Sequence, residues 1–161
     1  MDKALRIIGT IFFLTSLLSI LGCNGGKSQS ETNKAIVRDY AREEDQGSKD
    51  FIDKYVDPDF VFHYPNGREF RGIEKLKKGV INFQTAFPDG YHHVEDQIAE
   101  GDKVATRYTW TGTHTSEYMG VAPTGKQLKF TMIDICRIKN GKIVEAWIEF
   151  DPSAFNLESE N

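Results

Sequence analysis

Cysteine is scarce in this chain: Cys23 and Cys136 are the only two among 161 residues, which leaves no pair for an internal disulfide once Cys23 is modified. Long apolar runs are missing as well. The longest, Ile7 to Leu21, is shorter than the ~20 residues that a helix needs to span a bilayer. There is no excess of positive charge, with 20 basic against 24 acidic residues and no basic stripe, and this excludes a nucleic-acid partner. The four histidines, His63, His92, His93 and His114, include no pair at helical i, i+4 spacing. His92 and His93 are neighbours in a stretch that reads as a strand, so their side chains face opposite ways and cannot chelate together. No metal site is expected. Gly120 to Lys126 has the two glycines and the lysine of a phosphate-binding loop, but Gln127 stands where the magnesium-holding hydroxyl belongs. A strand pattern follows it rather than a helix N-terminus, so it reads as a Pro/Gly loop between strands.

The N-terminus has the form of an export signal. Lys3 and Arg6 precede the apolar run, which is interrupted by Gly9, Thr10, Ser16 and Ser19 and ends at Gly22-Cys23. A small residue directly before a cysteine is the pattern of a bacterial lipoprotein signal, although Leu21 is bulkier than that slot usually shows. Residues 1–22 are therefore expected to be removed and Cys23 to carry the lipid. The alternative is an ordinary signal peptide or membrane anchor with an incidental cysteine. Asn24 follows Cys23 where an aspartate would mark inner-membrane retention, so the expected location is the bacterial cell envelope, with the outer membrane favoured over the inner. Residues 23–33 are rich in Gly, Ser and polar side chains and are expected to form a flexible tether. Loss of Asp2, Lys3 and Arg6 with the leader takes the 20 basic and 24 acidic residues to 18 and 23.

Residues 34–161 suffice for one core and are expected to form a single α+β domain. Ile36, Val37, Tyr40 and Ala41 predict a first helix over 34–46. Ser48 is expected to cap a short second helix carrying Phe51, Ile52, Tyr55 and Val56. Ile73, Leu76, Val80, Phe83 and Phe87 give a third helix one apolar stripe until Pro88-Asp89-Gly90. From Tyr91 the period falls to two, which predicts strands over 91–100, 103–115, 126–138 and 143–151, with a short earlier one over 60–64. Asn140-Gly141 tolerates the positive φ of a tight hairpin.

Alternation assigns side chains to faces. Tyr108, Trp110 and His114 share one parity, as do Phe130, Met132, Asp134 and Cys136, and Ala146, Ile148 and Phe150. These sets are expected to line a cavity, with Tyr108, Trp110, His114, Phe130, Met132 and Ile148 as ligand-binding residues. Cys136 reads as a small core residue. Asp134, in the middle of FTMIDICRI, is the sharpest candidate, because a carboxylate among apolar neighbours needs a hydrogen bond, a proton or a task. His63 is the candidate catalytic partner. For Asp134, His63 and His114 a purely structural hydrogen bond is the alternative. Ile133 and Ile135 make the other face of the same strand apolar too, which predicts a homodimer through the outer sheet face around Ile133, Ile135 and Trp147.

The run AEGDKVATRYTWTGTHTSEYMGVAPTGKQ, then RIKNGKIVEAWIEFD, together with Phe87-Pro88-Asp89 and Val56-Asp57-Pro58-Asp59, resembles the SnoaL-like polyketide cyclases and ester cyclases over residues 33 to 157. The resemblance implies the cone-shaped α+β fold of nuclear transport factor 2, with N-terminal helices on a curved, mainly antiparallel sheet around an interior pocket. It also implies dimerisation and chemistry without metal or cofactor. In the antibiotic-pathway cyclases an aspartate on the last strand is the general acid/base and a histidine on the neighbouring strand helps hold the substrate. With Arg137, Gly141-Lys142-Ile143 and Glu145-Ala146-Trp147 as anchors, the aspartate position falls on Ile148 and the histidine position on Asp134. Isoleucine cannot transfer a proton, so ring closure by the family's own route is not expected. The resulting expectation is a lipid-anchored domain that binds a small hydrophobic or amphipathic molecule. If it is an enzyme, it transfers protons next to a carbonyl, with Asp134 as base and His63 or Tyr108 at the oxyanion. A non-catalytic binding or dimerisation module is the alternative.

Overall fold

Among the described residues, three helices and six strands follow one another in the order α1 (Gln29–Asp45), α2 (Phe51–Tyr55), β1 (Val56–His63), β2 (Glu69–Arg71), α3 (Ile73–Ala86), β3 (Tyr91–Glu100), β4 (Lys103–Thr113), β5 (Gln127–Lys139) and β6 (Lys142–Phe150). The structure, a computed structural model, describes residues 28–151 and 153. The expected leader, Cys23 and the start of the tether lie outside the described residues. No helix among the described residues is long and apolar enough to cross a membrane.

The strands form one sheet in the order β2-β1-β6-β5-β4-β3. All neighbours are antiparallel except β1 and β6, which run parallel. The expected α+β class and curved sheet are therefore observed. Asn140 and Gly141 have φ of 52° and 75° and join β5 to β6 with Lys139 opposite Lys142, the two-residue hairpin that the dipeptide predicts.

Two local expectations are corrected. Helix α1 begins at Gln29, because the Ser28 hydroxyl accepts the Glu31 amide hydrogen, and Asn33 is buried on the same stripe as Val37 and Ala41. Residues 29–33 thus belong to the domain and not to the tether. Ser48 does not cap α2. Its amide instead donates to the Glu43 carbonyl in the turn that closes α1, and α2 starts at Phe51 without a side-chain cap.

Two apolar clusters hold the layers together. One joins α1, α2, α3 and the sheet through Val37, Phe51, Val80, Val56, Val104 and Ile143. The other gathers Ala86, Phe87, Trp110, Leu128 and Phe130 at the far end of α3. Gly112 is needed there: a Cβ at that position would meet the Trp110 ring at 2.4 Å, and Trp110 is wedged between Phe83, Phe87 and Phe130 with nowhere to go.

Candidate functional site

The helices stand off the concave sheet face and leave a cavity of about 1040 Å³. Its walls draw on Tyr40 and Ala41 of α1, Leu76, Val80 and Phe83 of α3, and the inward residues Tyr108, Trp110, Phe130, Met132, Asp134, Ile148 and Phe150 of the sheet. Exposed Arg68, Lys75 and Glu117 bring charge to its margin. The parity argument on β4, β5 and β6 thus holds for Tyr108, Trp110, Phe130, Met132 and Ile148.

Asp134 is half-buried in the wall. Its Oδ1 is shielded from solvent and has no hydrogen-bond partner in the protein. Burial pushes its pKa up to about 7; positive charge at His92 and the hydroxyls of Tyr108 and Thr106 pull the other way, and Glu44 adds to the rise. These hydroxyls favour the charged form without completing a bond to Oδ1. Such a carboxyl exchanges its proton near neutral pH. The β5–β6 register sets Asp134 directly opposite Ile148. Side chains at paired positions on one sheet face lie about 5 Å apart. The carboxylate therefore stands one strand over from Ile148, at the same level of the cavity.

A second polar group enters the cavity from α1 and β3. His92 and Glu44 both line it. His92 Nδ1 lies 2.6 Å from Asp45 Oδ1, and the His92 amide donates to Asp45 Oδ2 at 2.9 Å. Burial by itself lowers the His92 pKa, but the bond to Asp45 and the charges of Glu44, Asp45 and Asp134 outweigh it and the net shift is upward. Burial also raises the Glu44 pKa, opposed by His92. This group was legible only in part. Glu44 and Asp45 lie three and four residues beyond Ala41, so they continue the buried stripe of α1. The strand YHHVEDQIAE, by contrast, has no apolar alternation to show which histidine turns inward. His92 does, and His93 is exposed.

Two candidates lie elsewhere. His63 is on the outer sheet face and not in the cavity. Phe62, paired with Ala146, takes the inward parity of β1, which turns His63 outward opposite Trp147. There the imidazole stacks on Trp147 at 5.0 Å and its Nε2 sits 2.9 Å from Glu145 Oε1, while Arg137 Nε donates to the other Glu145 oxygen at 3.0 Å. It cannot reach Asp134's cavity, so the pairing of the two is withdrawn. His114 does not line the cavity either. It follows the end of β4, where strand alternation no longer applies, and is fully buried against Phe87. Its Nδ1 accepts the Thr124 amide hydrogen at 3.3 Å, and its main chain closes the 114–126 loop by bonds with Lys126 and Gly125.

A small helix-backed α+β cup with a titratable, aromatic-walled pocket defines the class. The SnoaL-like polyketide cyclase family model matches residues 34–156, and the chain belongs to that family. Among solved structures it is similar to AclR of Streptomyces galilaeus, a proposed hydroxylase, with 30% identity, TM-score 0.69, and 76% of this chain and 90% of that one covered. It is also similar to IdmH of Streptomyces antibioticus, a proposed polyketide cyclase, with 30% identity, TM-score 0.67, and 76% and 94% covered. A SnoaL-like protein from Jannaschia sp. CCS1 shares the fold at TM-score 0.73 and 20% identity, over 80% and 92% of the two chains. No curated protein matches the chain.

Proposed function

We propose that this protein is a lipid-anchored envelope domain that takes a small hydrophobic or amphipathic molecule into its cavity and transfers protons next to a carbonyl without a cofactor, with Asp134 as the base and Tyr108 beside the developing oxyanion. One observation carries the reading: a large aromatic-walled cavity containing a carboxyl whose Oδ1 has no partner of its own. Burying such a group costs free energy unless a ligand or a proton satisfies it. Arg68, Lys75, Glu69 and Glu117 at the cavity margin suit an amphipathic ligand with a polar end. The presence of Ile148 at the family's aspartate position favours a second reading, a module that binds without turning over.

Trp110 offers a direct test of binding. The chain has two tryptophans, Trp110 in the cavity wall and Trp147 on the outer face. In a Trp147→Phe background, an apolar bicyclic ketone such as 2-tetralone should change the Trp110 emission saturably. A linear, non-saturating response would remove the ligand-binding claim.

The same reading gives the outer sheet face to a second copy of the chain. Ile98, Ala105, Ile135 and Trp147 are successive cross-strand partners and form one apolar row over four strands. Ile98 is 67% exposed, Ile133 44% and Ile135 38%. A charge in the middle of a standard interface of about 800 Å² per partner is not tolerated, so Ile135→Lys should convert a dimer to monomer by light scattering. Wild type that is already monomeric at micromolar concentration would refute the dimer.

A further inference from the structure

His92 sits between two spaces. On one side it lines the large cavity; on the other, with Asp45, it lines a cleft of about 260 Å³ bounded by Gln46, Pro88 and Gly90. Both side chains of the pair are largely buried, His92 at 11% exposure and Asp45 at 7%. Asp45 grips the residue twice, at Nδ1 and at the main-chain amide, which fixes the ring's orientation and leaves Nε2 as the nitrogen free to exchange a proton. The ring meets Tyr108 edge-on at 5.6 Å and 72°, and Tyr108 stands between His92 on β3 and Asp134 on β5. Beside Glu44 of α1, the cavity therefore contains two proton-carrying groups on separate strands, the Asp134 carboxyl and the His92 imidazole.

We propose that His92 is the general acid that works opposite Asp134 in this chemistry, and that Asp45 is its positioning residue. The proposal rests on the acid/base reading of the cavity and adds the second group that this chemistry requires. Asp134 as carboxylate takes the proton from the carbon next to the carbonyl. The C–H electron pair becomes the enol double bond, and the carbonyl oxygen takes the Nε2 proton from the imidazolium. Asp134 is then protonated, His92 neutral and the substrate an enol. In an aldol closure the enol carbon bonds to a second carbonyl of the same molecule. The new alkoxide takes the proton from Asp134, the enol oxygen returns its proton to Nε2, and both groups are restored. In an isomerisation the Asp134 proton goes back to carbon instead.

The charged groups around His92 suit an imidazolium in the resting state. Glu44 and Asp45 face it from α1 and Asp134 from β5, while Tyr108 and Trp110 of β4, Phe83 of α3 and Phe87 just after it bring no positive charge. The adjoining cleft gives the imidazole a second side from which a lost proton can be replaced.

The probe is 2-tetralone, an apolar ketone with exchangeable α-hydrogens, and the readout is its α-deuteration in D2O, followed by NMR with the full chain in detergent. Wild type should exceed the buffer rate. Asp134→Asn and His92→Gln should each lose about 100-fold of the enhancement, the low end for a general acid or base. Asp45→Asn retains the imidazole, so it should keep exchange but move the His92 limb of the pH profile to lower pH, with the same move in the imidazole 15N shifts. If His92→Gln folds by near-UV circular dichroism and exchanges like wild type while Asp134→Asn does not, His92 is not the acid and the Asp134 reading stands. If the pH limb and 15N titration are unmoved in Asp45→Asn, the pair does not act together and the proposal fails even if His92→Gln does not fold. No exchange above buffer by wild type would overturn the acid/base reading itself.

Discussion

Asp134→Asn should bind ligand almost as wild type does and lose about 10²–10⁴-fold in turnover, because the amide preserves the shape of the wall and removes the titrating proton. The same variant should be more stable than wild type in mild alkali. The folded-state pKa of Asp134 is raised from 3.8 to about 7, so the folded chain holds this proton more tightly than the unfolded chain does. Stability is then greatest below the ordinary carboxylate range and falls as pH rises from about 4 to about 7. The full shift corresponds to at most about 4 kcal/mol. Glu44 and His92 are also raised and tilt the curve the same way. Asp89 and Glu145 are lowered, so their stabilisation is lost as pH falls into the acid range, and together these groups place the optimum in mild acid. Thermal melts should show Asp134→Asn matching wild type near pH 4 and melting higher at pH 8. Equal melts at both pH values, with Asp134 titrating by NMR as an ordinary carboxylate, would make the residue structural only and end its assignment as the base.

Cys23→Ser should abolish both lipidation and processing, since a serine can accept neither the thioether-linked lipid nor the cleavage that depends on it. Wild type should incorporate labelled fatty acid, start at Cys23 after processing and partition into detergent. The serine variant should stay unprocessed and unlabelled. A lipid chain contributes about 0.8 kcal/mol per buried CH₂, so multiple acyl chains outweigh any attraction from a domain whose net charge is negative. Identical fractionation of wild type and Cys23→Ser, or no label in wild type, would disprove the anchor. Labelled protein found only in the inner membrane would disprove the sorting inference from Asn24.

Local chemistry explains what could be read in the chain. The third helix and the strands beginning at Tyr91 and Lys103 emerge within two residues of the expected bounds at each end, because apolar period and turn residues are short-range signals. The wall residues of β4, β5 and β6 were legible for the same reason: once one side chain of a regular strand faces a cavity, its parity determines the rest. The failures mark where that regularity stops. His114 lies one residue past β4, and His63 lies on a strand whose pairing with β6 skips residues between Val56 and Val61. Its inward parity could not be assigned before its partner was known.

By itself, then, the sequence determined the α+β class, the apolar wall of the pocket and Asp134 as its anomalous carboxyl, all properties carried by neighbours along the chain. Tertiary structure alone decided that Asp45 of α1 meets His92 of β3, 47 residues apart, that Asp134 stands opposite Ile148, and that His63 and Trp147 stack on the reverse face. Each of these depends on a register or a helix-to-sheet contact between distant segments, and short-range periodicity contains no information about which segments meet.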